Sequence, residues 1–152
     1  MERALRDTLT VDLAQAARRN EDLRHLPDEE ISRDVRDYQR FLLLAQVYPN
    51  EPIAPTRAID RIWHLHMLHP RAYVVDCLRL FGEILDHEGG FGSVPNEEAE
   101  LLAVFRRTSE LWADMFDEPY TGDVGSTSIV KCKRNCVSRC KRACKTPRRS
   151  GS

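Results

Sequence analysis

Three histidines fall within six residues in the stretch IWHLHMLHP, residues 62–70, at His64, His66 and His69, with Asp60 one turn upstream. Imidazole nitrogens and carboxylate oxygens are ligands that zinc and related divalent transition metals take from proteins, and the same groups donate and accept protons. Spacing decides which of them can act together. On a regular helix, residues two apart point about 200° from each other, so His64 and His66 cannot face one ion. His66 and His69, three apart, can. His64 shares a face with Asp60, four residues earlier, where a carboxylate can orient the imidazole. If the backbone opens ahead of Pro70, His64 and His66 converge instead, and His87 arrives from the next helix to complete a zinc site. The competing reading is structural: Trp63 and one histidine are buried, that histidine bonded to a carbonyl or carboxylate, and the others stay at the surface. Catalysis has less to work with, since the chain offers no Gly-flanked serine, no Gly-rich phosphate loop and no cysteine with an evident partner. The pattern points to binding rather than to an enzyme.

The cysteines form a second constellation. Cys132, Cys136, Cys140 and Cys144 recur every fourth residue in VKCKRNCVSRCKRACK, with basic residues in each gap. On a helix they would make a stripe about 18 Å long, too extended for four sulfurs to surround one zinc at about 2.3 Å. Irregular wrapping, pairwise binding of a soft metal, or a second chain would be needed. The flanking cations favour thiolate over thiol and so raise reactivity. Three uses follow: a substrate that a partner enzyme modifies, a metal store or sensor, and an electrostatic attachment to nucleic acid or an anionic surface. The last lacks an aromatic residue for base stacking. The bland alternative is a disordered tail that folds back transiently on its own acidic body.

Charge divides the chain at the same place. Residues 1–128 hold 14 arginines and no lysine against 24 acids, a balance of −10, whereas residues 129–152 hold nine basic residues, including all four lysines, and no acid. The stretch PYTGDVGSTS, residues 119–128, reads as a linker between two different kinds of polypeptide. The longest purely apolar run, residues 41–45, is five long, far below the roughly 20 needed to span a bilayer. The N-terminus mixes charges of both signs without an apolar core, unlike a secretory or transit signal. A cytoplasmic setting with reduced thiols is the expectation.

The elements that must position these groups are helical. Leu5, Leu9, Leu13 and Ala16 predict a first helix. Ile31, Val35, Tyr38, Leu42 and Ala45 predict a second, with Asp28 as its cap. Three prolines in YPNEPIAP, residues 48–55, force an extended connection. Thr56 then caps a third helix carrying Ile59, Ile62, Trp63 and His66 on its apolar side. Pro70 ends that helix and opens a fourth, along which Tyr73, Cys77, Leu80 or Phe81, and Ile84 face the core until Gly89 and Gly90 stop it. A last helix runs from about Asn96 to Phe116, with Leu101, Phe105 and Trp112 inward. The sum is an all-α, single compact bundle of about five helices over residues 1–118, a linker over 119–128, and a basic cysteine tail over 129–152, flexible or a lone helix.

The central segment, IDRIWHLHMLHPRAYVVDCLRLFGEILDHEG, residues 59–89, resembles the glycine-rich domain-containing protein-like family found in plants, fungi and bacteria. The matching positions are Asp60, Trp63, His64, His66, Leu68, Pro70, Tyr73, Asp76, Cys77, Phe81 and Gly82, without gaps; the likeness covers residues 56–92. His69 departs from that pattern. The resemblance implies a helical domain and names no reaction. It favours a small polar site for a ligand or metal around His64, His66 and Asp60, with Asp76 one helix later, while Trp63, Tyr73, Cys77 and Phe81 serve the core.

Overall fold

The strongest apolar stripe in the chain becomes its central helix. In the computed structural model, which describes residues 1–87 and 94–124, the helices are α1 (Glu2–Leu9), α2 (Ala14–Arg19), α3 (Asp28–Val47), α4 (Arg57–Met67), α5 (Pro70–Phe81) and α6 (Pro95–Phe116). Among the described residues the only strand-like pairing is one bridge between Thr56 and Val124. Helix α3 packs against α1, α2, α4 and α6. Its Ile31, Val35, Tyr38, Phe41 and Leu42 meet Ile59, Ile62 and Trp63 of α4 and Tyr73 and Cys77 of α5 in one core. No described helix is long and apolar enough to cross a membrane.

The all-α class and the bundle of about five helices hold, the described residues forming six. The first apolar stripe breaks at residues 10–13. The Thr10 hydroxyl donates back to the Asp7 carbonyl at 2.7 Å, and the Asp12 carboxylate accepts the Ala14 N–H at 3.0 Å. Such local side-chain bonds compete with the helix ladder. The break buries Val11 and leaves Leu5 and Leu9 exposed. Asp28 is the first residue of α3 rather than its cap, and its carboxylate accepts from Arg18 Nε at 2.9 Å. Helix α5 stops at Gly82, in the left-handed region at φ 73°, seven residues short of Gly89. Ile84 therefore faces solvent and Leu85 takes the buried place. Gly89, Gly90 and the cysteine tail lie outside the described residues.

Two devices fix the entry to α4. One is a buried charge: the Asp34 side chain is 1% exposed and accepts from Arg61 Nε at 2.7 Å and from the same guanidinium's NH2, which also donates to Glu30 at 2.8 Å. A desolvated carboxylate is tolerable only with such a partner, so Arg61 fixes the rotation of α4 against α3. The other is a clasp. Residues 119–124, which read from sequence as the start of a linker, lie against the proline-rich connection. The Tyr120 hydroxyl donates to the Ala54 carbonyl at 2.9 Å and accepts from Thr56 N–H at 3.1 Å, and Arg57 N–H donates to the Asp123 carbonyl at 2.9 Å. Gly122, at φ 128°, passes so close that an added Cβ would meet Thr56 Cβ at 3.3 Å. Thr56, held from outside, caps α4 by accepting Ile59 N–H.

Replacing Tyr120 by Phe leaves a buried carbonyl and a buried amide without partners. We expect a loss of about 1–3 kcal/mol in urea unfolding, with an unchanged denaturant slope.

Candidate metal centre

Helix α4 carries chemistry on two faces. On its inner face His66 is 1% exposed and bridges three helices: its Nδ1 lies 2.9 Å from the Tyr38 hydroxyl of α3 and its Nε2 lies 3.1 Å from Asp76 Oδ2 of α5. Burial pulls the His66 pKa below its ordinary value, the Asp76 carboxylate opposing, and burial pushes the Tyr38 phenol well up. One proton arrangement satisfies every atom: the Tyr38 O–H donates to Nδ1, and Nε2–H donates to Asp76. The other Asp76 oxygen accepts from Arg79 at 2.8 Å, and Arg79 reaches the Asp7 carbonyl of α1. His66 and Asp76 are thereby occupied in a structural relay across four helices. His69, at the cap of α5, lies 2.9 Å by Nδ1 from the Leu65 carbonyl and joins no metal-ligating cluster among the described residues.

On another face Asp60 and His64, one turn apart, meet His87, which follows α5. His87 Nε2 lies 3.0 Å from His64 Nε2 and 3.0 Å from Asp60 Oδ1, and His64 Nε2 lies 3.7 Å from Asp60 Oδ2. Asp60 and His87 side chains are 5% and 7% exposed, whereas His64 is half exposed and forms the open side. Helix α4 stays regular, so His64 and His66 diverge as a residue spacing of two requires, and the convergence with His87 comes without any opening before Pro70.

His87 arrives in register because of a hydrogen-bond chain. The Trp63 indole N–H donates to the Tyr73 hydroxyl at 3.0 Å, and Tyr73 donates to the Leu85 carbonyl. Burial pushes the Tyr73 phenol up, keeping the proton that this bond needs. Leu85 is buried, and two residues on the His87 ring stands edge-on to Trp63, centroids 4.4 Å apart. Trp63, Tyr73 and Cys77 are core residues; Phe81 packs against the core half-buried.

The arrangement suits a cation better than a proton. A neutral imidazole nitrogen either donates or accepts, yet His87 Nε2 faces both a carboxylate and a second Nε2. One hydrogen cannot lie along both lines. A tetrahedral ion bound at about 2.0–2.1 Å requires ligand atoms about 3.4 Å apart; His87 Nε2 lies 3.0 Å from both His64 Nε2 and Asp60 Oδ1, and the second carboxylate oxygen, Oδ2, lies 3.7 Å from His64 Nε2. Two imidazoles and a carboxylate are a donor set that zinc accepts, leaving one coordination position. Sequence reasoning had every one of these residues but could not choose among the pairings. It gave Tyr38 and Tyr73 no polar role, because their partners lie 28 and 12 residues away along the chain.

Replacing Tyr73 by Phe frees the Leu85 carbonyl and the Trp63 N–H and loosens His87. Zinc affinity in calorimetric titration should fall by about 10–100-fold, the usual effect of removing a group that orients a ligand, with Asp60 and His64 untouched.

No family model and no solved structure matches the chain. Two curated proteins of Arabidopsis thaliana do. Glycine-rich domain-containing protein 1 is 31% identical over 90 residues, 57% of this chain and 11% of that protein. Glycine-rich domain-containing protein 2 is 28% identical over 90 residues, 59% of this chain and 11% of that protein. The chain thus spans about a tenth of the length of these relatives, and over that shared stretch it is similar to the glycine-rich domain-containing proteins.

Proposed function

We propose that the helical body binds one divalent transition metal of the zinc class through Asp60, His64 and His87. The observation that carries this reading is the convergence of one carboxylate oxygen and two imidazole nitrogens within 4.8 Å of one another. The burial of Asp60 and His87 supports it, because a cation is then held out of bulk water where its attraction to the carboxylate is strongest. The half-exposed side of His64 leaves the fourth position to water or to a small ligand. In this reading His66, Asp76 and His69 are not ligands, and Tyr73 and Trp63 position His87.

His64 can be removed without opening the core. His64→Ala should lower zinc affinity at least tenfold while leaving the melting temperature of the metal-free protein within a degree or two. Chelation of the wild-type protein should lower its melting temperature, since a bound metal stabilises by about 2.7 kcal/mol at one hundred times its dissociation constant. Cobalt(II) separates this site from the tail thiols: nitrogen and oxygen ligands give d–d bands without thiolate charge transfer. Unchanged cobalt spectra in His64→Ala would discard the reading.

The strict four-residue cysteine repeat favours a second, separate role for residues 129–152, as the substrate of a modifying enzyme that the body presents. Intact mass spectrometry of protein from its native host tests this. A mass increment that survives denaturation and maps to residues 132–144 is the expected result. An unmodified mass, or an increment lost on denaturation, removes the carrier role.

A further inference from the structure

Away from the histidines, the surface of α3 carries a site of another kind. Arg33, Arg36 and Arg40 occupy one face of the helix and line a cleft of about 340 Å³ together with Trp112 and Tyr120. These cations are unequally engaged. Arg40 pairs with Glu118 at 2.7 Å and lies 5.3 Å over the Phe116 ring. Arg33 comes within 4.0 Å of the neighbouring Asp34 and Arg36 has no carboxylate within that distance among the described residues, while Asp37, on the same cleft, lies 4.0 Å from Arg40 and attracts all three arginines. Trp112 is 3% exposed, and its indole N–H finds no acceptor there. Buried donors without acceptors are rare and mark a place where a partner belongs.

Arg36 and Arg40 also line a second cleft of about 390 Å³, whose other walls include Leu5, Leu9, Leu43 and Met115. The two clefts therefore adjoin along the arginine pair. They differ in chemistry: the first is predominantly polar and rich in donors, the second predominantly apolar, with Leu5 and Leu9 39% and 50% exposed. A bare oxyanion would satisfy the arginines and leave the leucines wet. A purely apolar molecule would cover the leucines and leave Arg36 unpaired. Both clefts are of the size that small molecules occupy.

We propose that this paired cleft binds an amphipathic anion, with a carboxylate or phosphomonoester head on Arg33 and Arg36 and an alkyl chain along Leu5, Leu9 and Met115. Guanidinium groups match either head through paired N–H donors. The site is independent of the proposed metal centre and shares no residue with it.

The whole chain labelled with ¹⁵N supplies the test, because its two tryptophans give two indole N–H signals. Decanoate and decyl phosphate, below their micelle concentrations, should shift the Trp112 signal saturably. The Trp63 signal, whose N–H is held by Tyr73, should stay in place. Decanol and inorganic phosphate should each bind at least tenfold more weakly. Arg36→Gln, at an exposed position, should weaken decanoate binding tenfold or more without altering the melting temperature, and Leu9→Gln should weaken it several-fold. A response to one head group alone supports the proposal and identifies the head. No shift at Trp112, both indole signals moving together, or equal binding by Arg36→Gln overturns it. Inorganic phosphate binding as tightly as decyl phosphate removes the apolar half and overturns it as well.

Discussion

The buried carboxylate of Asp34 governs the arrangement of everything around it. A charge held out of water must keep its guanidinium, and Arg61 supplies that from the middle of α4. With Arg61 fixed, the helix has one rotational setting on α3. That setting turns Trp63 and His66 inward and directs Asp60 and His64 toward the segment that carries His87. Hydrophobic burial drives α4 onto α3, but apolar contact is non-directional and would accept several rotations. The ion pair selects one, and the Thr56 cap with its Tyr120 clasp fixes where the helix begins.

The two histidines on opposite sides of α4 illustrate how environment assigns role. His66 lies between a phenol and a carboxylate, out of water, and works as a neutral connector of α3, α4 and α5. His64, two residues earlier and about 200° around the helix, meets another imidazole and a carboxylate at the surface. The same side chain thus serves architecture on one face and stands in the candidate metal triad on the other. His69 does neither, since its ring nitrogen pairs with the backbone of the preceding turn.

Much of this was legible in the sequence wherever periodicity or backbone chemistry carried the signal. The stripe of α3, the cap at Thr56, the start of α5 at Pro70 and the inward Leu101 and Trp112 of α6 follow from spacing and from the properties of threonine and proline, whereas Val104, Thr108 and Leu111 complete the buried face of α6 and Phe105 stays half-buried. The break between α1 and α2 was not legible, because leucines continue in helical register through a point where Asp12 diverts the backbone. The stop at Gly82 was passed over for the more conspicuous glycine pair beyond it. For the site, Asp60 with His64 was readable from a spacing of four, and His87 was one arrival among several. What placed it was the Trp63–Tyr73–Leu85 chain, a set of contacts between residues far apart in sequence that no local pattern encodes.

The order of the parts along the chain has a consequence for how the molecule is made. Asp60, His64 and His87, with the Arg61–Asp34 pair and the Tyr73 tether that set them, all precede residue 88. Helix α6 and the Tyr120 clasp come after it. In N-to-C synthesis the three residues of the candidate site, with the ion pair and the tether that set them, are made before α6 and the clasp. Contacts of short sequence separation also close at the smallest entropic cost. An ion captured at that stage would fasten the nascent α4–α5 hairpin to its trailing segment before α6 packs on α3.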